Sequence, residues 1–315
     1  VMIKKGPVSE ETSLKELEEN YSSKPEWKVI EEGGVLSIPV EEFRMINPPK
    51  PDREGRINFQ KMQGGGGKQI ENYPVGQTIK NLNEQIMVKY NEEKEKAKSA
   101  GKSKAGAENA AQAMAKKLPE FTAVQKWLDN EAEIKLKKAL EQMVTDLKIP
   151  TLIIRSISLR AISALTDLGL KLSGDAEIDL MVAFVSGDFL HVVIFEVKRA
   201  DTYPWQTKCP LPNKQAVNKA ENQLTKDLDV LMAILAGIPP SQIIFHTLAC
   251  FPDTSISDLQ AIFCANCPET GIVCQEDLAD LALLQKKTQV PDKPAPATTS
   301  GKQYLLNLSA RCLSQ

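Results

Sequence analysis

The chain has 315 residues, of which 42% are hydrophobic and 25% charged, enough for one large core or one core with an appendage. A formal net charge of -2 and a sequence pI near 5.9 exclude the global basic field of a general nucleic-acid binder, so any such contact would come from a local patch. No apolar run approaches the roughly 18 residues of a membrane span, and no signal-peptide pattern opens the sequence, so we expect an intracellular protein with no membrane partner.

Residues 1–117 read as an irregular region followed by a charged, helical connector. Ser13-Leu14-Lys15-Glu16 fits a capping box for a short helix, and Trp27 to Val40 holds two strand-like pieces around Gly33-Gly34. Gly64 to Gly67 resembles a phosphate loop only superficially, because Met62 stands where that loop needs its first glycine and Gln69 replaces the Ser or Thr. Residues 78–117 are rich in Lys, Glu and Ala with few large apolar residues, the composition of a solvated or disordered connector, and Gly101 and Gly106 weaken a continuous helix. The alternatives for this half are a basic arm on a polyanion, or a region that carries a protein partner or homo-oligomer contact.

From Pro119 the pattern sharpens. Leu128, Ile134, Leu136, Leu140, Met143, Val144 and Leu147 recur at helical spacing and predict a helix over 119–148, stopped by Pro150. Thr151 to Ile157 is a β-branched run and reads as a strand, whereas 162–172 is ambiguous. Glu177 to Phe184 is a second strand, Ser186-Gly187-Asp188 a tight turn, and Phe189 to Lys198 its hairpin partner. Asn213 to Ala236 follows as a helix with the apolar stripe Val217, Ala220, Leu224, Leu228, Leu231 and Leu235. A strand over 242–251 and short helices near 255–263 and 277–284 complete the pattern, and 286–315 reads as a tail rich in Pro, Ala, Thr and Ser. Helix, strand, hairpin, helix, strand predicts an α/β fold with a mixed central sheet flanked by helices.

The strand Phe189 to Lys198 ends in Glu196-Val197-Lys198. Alternation puts Glu196 and Lys198 on one face, and burying such a pair at a strand end is costly unless something compensates it. With Asp179 on the paired strand and Gln223 in the next helix, this order resembles the PD-(D/E)xK, restriction-endonuclease-like nuclease superfamily, in particular its nuclease-related and resolvase-like modules. The resemblance covers roughly 119–251, and we take 118–285 as the nuclease-like domain. It implies an intracellular Mg²⁺- or Mn²⁺-dependent hydrolase of phosphodiester bonds in DNA or RNA. It assigns Asp179, Glu196 and the Val197 carbonyl as metal ligands, Lys198 to the catalytic water, Gln223 to steady Lys198 or the substrate, and an acidic residue of the first helix. That last residue is Glu133 by its spacing from Leu136 and Leu140, with Glu131 second.

The residues support this independently. Two carboxylates facing each other on a hairpin repel unless a cation lies between them, and hard oxygen ligands suit Mg²⁺ or Mn²⁺. The triplet alone is unspecific, since Glu133-Ile134-Lys135 occurs within a helix, and a cross-strand ion pair at a solvated strand end is the structural alternative. Lys219 and Lys226 flank Gln223 and suit phosphates, as does Arg199, with Arg155, Arg160 and Lys171 as looser candidates. Tyr203 and Trp205 can stack on unpaired bases or simply cover the sheet end. The competing reading is a catalytically inactive module of the same fold, acting in nucleic-acid or protein interaction.

Only two histidines occur, His191 and His246, too few for a multi-histidine metal centre. The six cysteines do not read as a disulfide framework in a chain this long, which points to a reducing compartment. Cys264 and Cys267, with Cys250 and Cys274, can close a structural Zn²⁺ site, against which stands the reading of small buried hydrophobes.

Overall fold

The computed structural model describes residues 35–38, 77–158, 177–199, 203–206, 238–263 and 271–313, together with 219–220, 222–225, 227, 231 and 235. The capping box at Ser13, the glycine run at Gly64, the stretch 162–172, Arg160, Lys171, Lys226, Cys264 and Cys267 lie outside the described residues.

Six strands form one sheet in the order of the chain. β1 (Val35–Ile38) runs parallel to β2 (Thr151–Ser158); β2, β3 (Glu177–Ser186) and β4 (Phe189–Val197) are successively antiparallel. β5 (Ile243–Cys250) then joins parallel to β4, and the two-residue β6 (Ile272–Val273) parallel to β5. The helices are α1 (Gln77–Ser99), α2 (Lys104–Ala115), α3 (Pro119–Leu147), α4 (Ile256–Phe263), α5 (Gln275–Ala279), α6 (Leu281–Thr288) and α7 (Thr299–Leu313). The described residues from 219 to 231 are also helical. The fold is therefore α/β, a mixed sheet with flanking helices, as the element order predicts.

β3 and β4 are largely buried on both faces, so they read as continuous apolar runs rather than alternating ones. On one face Met181, Ala183 and Val185 of β3 oppose Ile194, Val192 and Leu190 of β4, and join a core with Ala220, Leu224, Leu231 and Leu235 of the helix after β4. On the other face Leu180, Val182, Phe184, Val193 and Phe195 are also almost wholly buried. Gly187 turns the β3–β4 hairpin at φ 62°, a left-handed conformation that glycine adopts without strain.

The chain divides into two compact units, and the division falls within α3. Residues 41–132 with 200–211 form one, and 1–40, 133–199 and 212–315 the other. This differs from the expected boundary at 117. The lysine- and glutamate-rich stretch is not a bare connector: Ile79, Leu82, Ile86 and Tyr90 of α1, Ala111 and Ala115 of α2, and Phe121 and Val124 of α3 form their own apolar cluster. Small alanines let α1 and α2 approach closely, which a search for large apolar residues overlooks. The break between the helices sits at Gly101, φ 80°.

The end of the chain also differs from a loose tail. In α7, Leu305, Leu306 and Leu308 are buried in the sheet core, worth on the order of 5 kcal/mol together. The preceding segment straps the hairpin turn: Ser186 Oγ accepts from Ala295 N–H, Gly187 N–H donates to the Ala295 carbonyl, and Thr298 N–H donates to the Gly187 carbonyl.

Candidate active site

The β3–β4 ladder is in regular register up to Leu180 and Phe195. Asp179 lies two residues before Met181 and Glu196 two after Ile194. Since Met181 and Ile194 are register partners, alternation puts both carboxylates on that same sheet face, one step further along. Beyond Leu180 the ladder changes character. Val197 N–H donates to Asp179 Oδ2 at 2.7 Å, so a side-chain carboxylate takes a main-chain donor on the β3 side of the strand. One residue on, Lys198 N–H donates to the Cys250 carbonyl of β5 at 2.7 Å. A strand residue's N–H and C=O point to the same edge, so the Val197 carbonyl also opens toward Asp179.

Lys198 Nζ is ion-paired with Glu196 Oε1. The pair is unequal in burial: the Glu196 side chain is 5% exposed and that of Lys198 31%. The acid is therefore fixed in the core, while the ammonium has a path to solvent or substrate. The triplet is a polar cluster at the edge of the core, not a fully solvated strand end.

Gln223 belongs to the helix whose Ala220 and Leu224 pack on the same face, and its Nε2 donates to Asp227 Oδ1 at 2.9 Å. Lys219 is exposed on that helix, and Arg199 is half-buried just after the triplet. Glu133 of α3 pairs with Arg155 of β2 at 3.7 Å, both side chains about one-sixth exposed. Arg155 is the register partner of Leu180, so this pair stands one ladder step from Asp179, with Arg155 directed by alternation to the opposite face. Glu131 is half-buried on the same helix.

Asp227 was missed in the sequence, although a signal was present: it sits three residues after Leu224 and four before Leu231, on the core-facing stripe. The Glu133–Arg155 pairing carried no sequence signal, because it depends on how α3 lies against β2.

Tyr203 and Trp205 belong to the helical unit. Trp205 stacks on Tyr90 with centroids 5.1 Å apart, Tyr203 on Trp205 at 5.1 Å, and Phe121 lies within 6 Å of both. Lys116 Nζ stands 4.4 Å from the Tyr203 ring centroid. These rings are engaged with one another, which is the packing alternative in a form the sequence did not anticipate.

Of the proposed zinc cysteines, Cys250 and Cys274 are buried. Burial pushes the Cys250 thiol up, and burial with a hydrogen bond to Asp277 pushes Cys274 up to about 12. Cys274 Sγ donates to Asp277 Oδ2 at 3.0 Å, and Cys264 and Cys267 of the same set lie outside the described residues. Asp277 is held further by Lys287 Nζ at 2.6 Å.

Among the described residues no group of three or more His, Cys, Asp or Glu is placed to hold a metal ion. The donors at the hairpin end are of a different kind: two carboxylates and a main-chain carbonyl. Such an all-oxygen set fits Mg²⁺ or Mn²⁺, which bind through one or two carboxylates and keep waters or substrate oxygens as their other ligands. A cavity of about 610 Å³ lies elsewhere, along β5 between His246, Leu248, Ile256, Leu283 and Lys287. Among the described residues no helix is long and apolar enough to cross a membrane. No family model, no curated protein and no solved structure matches this chain.

Proposed function

We propose that the protein is a metal-dependent phosphodiesterase acting on DNA or RNA, with the end of the β3–β4 hairpin as its catalytic centre. The observation that supports this reading is the placement of Asp179 and Glu196 on one sheet face with Lys198 on the Glu196 carboxylate. Asp179, Glu196 and the Val197 carbonyl would hold Mg²⁺ or Mn²⁺, which when bound supplies Lewis acidity to the phosphate and lowers the pKa of a water.

The chain's own residues contribute the rest. The Val197 N–H locks the Asp179 carboxylate against β4, fixing one ligand by main-chain geometry. The Glu196 carboxylate is held by its burial. Lys198, on its partly exposed side chain, can move its ammonium from Glu196 to the negative charge that develops on the phosphate, or orient the attacking water. Lys219 and Arg199 supply sequence-independent charge for backbone phosphates. Glu133, paired with Arg155, supports the adjacent strand.

The test is cleavage of labelled single- and double-stranded DNA and RNA by the full chain with Mg²⁺ or Mn²⁺. Glu196→Ala and Lys198→Ala should each lower the rate by at least about 100-fold, the scale of a lost transition-state charge interaction. Activity that survives both substitutions refutes the assignment. A second reading, a non-catalytic module, is favoured by one feature: the acid and base of the triplet already neutralise each other within the chain. Calorimetry separates the two, since the enzyme should bind Mn²⁺ and the module should not.

A further inference from the structure

β5 is covered unevenly along its outer edge. Ala249 N–H donates to the Gly271 carbonyl and Phe251 N–H to that of Val273, so the odd-numbered residues of β5 turn their main-chain groups toward β6. Lys198 N–H donates to the Cys250 carbonyl, which puts the even-numbered residues on the β4 side. β6 pairs only with Ala249 and Cys250, and Gly271, at φ 99°, ends its extended conformation. Two and four residues before Ala249, Thr247 and Phe245 therefore present N–H and C=O groups beyond the end of β6, where among the described residues no strand pairs with them. Burial changes at the same boundary: Ile243 to Thr247 are half-buried and Leu248 to Cys250 buried.

The described residues border this stretch with a cavity of about 610 Å³. Phe245 and Thr247 line it, with Gly271, Ile256 of α4 and Leu283 of α6, all in the sheet-bearing unit. Leu283 is 42% exposed, one of three large hydrophobic residues exposed among those described, so an apolar surface stands open in this wall. The charged groups of the cavity differ in their engagement. Lys287 is held by Asp277 at 2.6 Å, and Glu276 accepts from Ile256 N–H at 3.0 Å. Lys286 is exposed on the same wall, and its ammonium has no partner among the described residues.

A strand edge with free N–H and C=O groups is a template for a further strand. Peptides add to such edges with main-chain bonds supplying affinity and the flanking side chains supplying selectivity. We propose that the Phe245–Thr247 edge of β5 binds an extended segment of a partner protein as an added strand. Successive side chains of that segment point to opposite faces, so an apolar residue meets Leu283 or Ile256 and an acidic one meets Lys286. The partner is a protein with a short extended apolar segment that carries an acid. The edge requires no phosphodiesterase activity at the hairpin end.

The probe is a short peptide selected from a displayed random library on the full chain and titrated by calorimetry. Apolar peptides containing Asp or Glu should be enriched. Only alternate amides of an added strand face β5, so N-methylation of one alternate set should weaken binding at least about tenfold, and of the other set by no more than about twofold. Thr247→Pro removes the outward N–H, keeps the β4 ladder and should also weaken binding about tenfold. Lys286→Glu should weaken the acidic peptide about three- to fivefold and improve its lysine counterpart. If Thr247→Pro does not fold, the N-methyl series still decides, because it leaves the protein unchanged. Failure to enrich any peptide, equal losses from both N-methyl sets, or full binding to folded Thr247→Pro overturns the proposal. So does a dimer in light scattering that Thr247→Pro dissolves, which gives the edge to a second copy, and so does slow amide exchange at Phe245 and Thr247 in the free chain, which means that the edge is already paired.

Discussion

Gly301, near the start of α7, separates two opposed effects of the same substitution. Gly→Ala in a helix interior ordinarily stabilises by about 1 kcal/mol. Here a Cβ at Gly301 would stand 2.5 Å from Val185 Cγ1 and 2.6 Å from the Gly187 carbonyl oxygen. Neither neighbour can yield easily. Val185 is fully buried in β3, and Gly187 is tied to the C-terminal segment through Ala295 and Thr298. Overpacking of this kind costs about 1–3 kcal/mol, and moving α7 outward would also weaken the Thr298 N–H bond to Gly187, worth roughly 1 kcal/mol. The repulsive side prevails, so Gly301→Ala should destabilise by about 1–2 kcal/mol, a fall in thermal midpoint of about 2–3 °C for a chain of this size. Calorimetry or urea unfolding of the full chain reads this directly. A raised midpoint would show that helix propensity governs the site, and would refute the claim that α7 is docked tightly on the hairpin turn.

Two further outcomes concern the sheet and the helical unit. Burial, and secondarily the charge of neighbouring His246, lowers the pKa of His191 to about 4, while burial also lowers that of His246. With folded values below the unfolded 6.5, stability is full above about pH 6.5 and falls as pH drops toward about 4, by no more than about 3 kcal/mol for His191. His191→Phe, which can keep the stack on Phe184, should flatten the decline between pH 7 and 5 in urea titrations; an unchanged decline sinks the assignment. In the helical unit, Trp205→Ala removes stacks on Tyr90, Tyr203 and Phe121 and should cost about 3 kcal/mol in denaturant unfolding, whereas a loss below about 0.5 kcal/mol would mean the cluster is not structural.

The elements with strong local patterns were legible from sequence. β2 to β5 announce themselves as β-branched runs, the hairpin turn as Ser186-Gly187-Asp188, and α3 through the spacing of Leu136, Leu140 and Met143. The elements that depend on distant partners were not. The cluster of α1, α2 and the first turns of α3 includes Ala111 and Ala115 and is completed by Tyr203 and Trp205, about a hundred residues later in the chain. Leu305, Leu306 and Leu308 are too few to predict a docked helix, and only the sheet surface beneath them makes α7 a core element. At the candidate site, alternation along two paired strands was sufficient to bring Asp179 and Glu196 to one face. The hydrogen bond from Val197 N–H to Asp179 arises from packing, which spacing alone does not encode, whereas that from Gln223 to Asp227, one helical turn on, was within reach of the sequence.

Placing these acids on a core face runs against stability, and the direction of that conflict is informative. Along β3 and β4 each ladder step from Val185–Leu190 to Met181–Ile194 on this face is apolar and buried. At the next step of the same alternation the face turns to two carboxylates, and the helix above contributes a third in Asp227 at 0% exposure. Replacing buried ionic groups by well-packed hydrophobes is often neutral or stabilising, so folding alone does not call for this arrangement. Among the contacts described here, one ammonium, that of Lys198, neutralises one of the acids, and a main-chain N–H and an amide serve the other two. On the proposed function, a divalent cation held by Asp179 and Glu196 would offset their charge, and the Lys198 side chain, 31% exposed, would be open to an incoming phosphate.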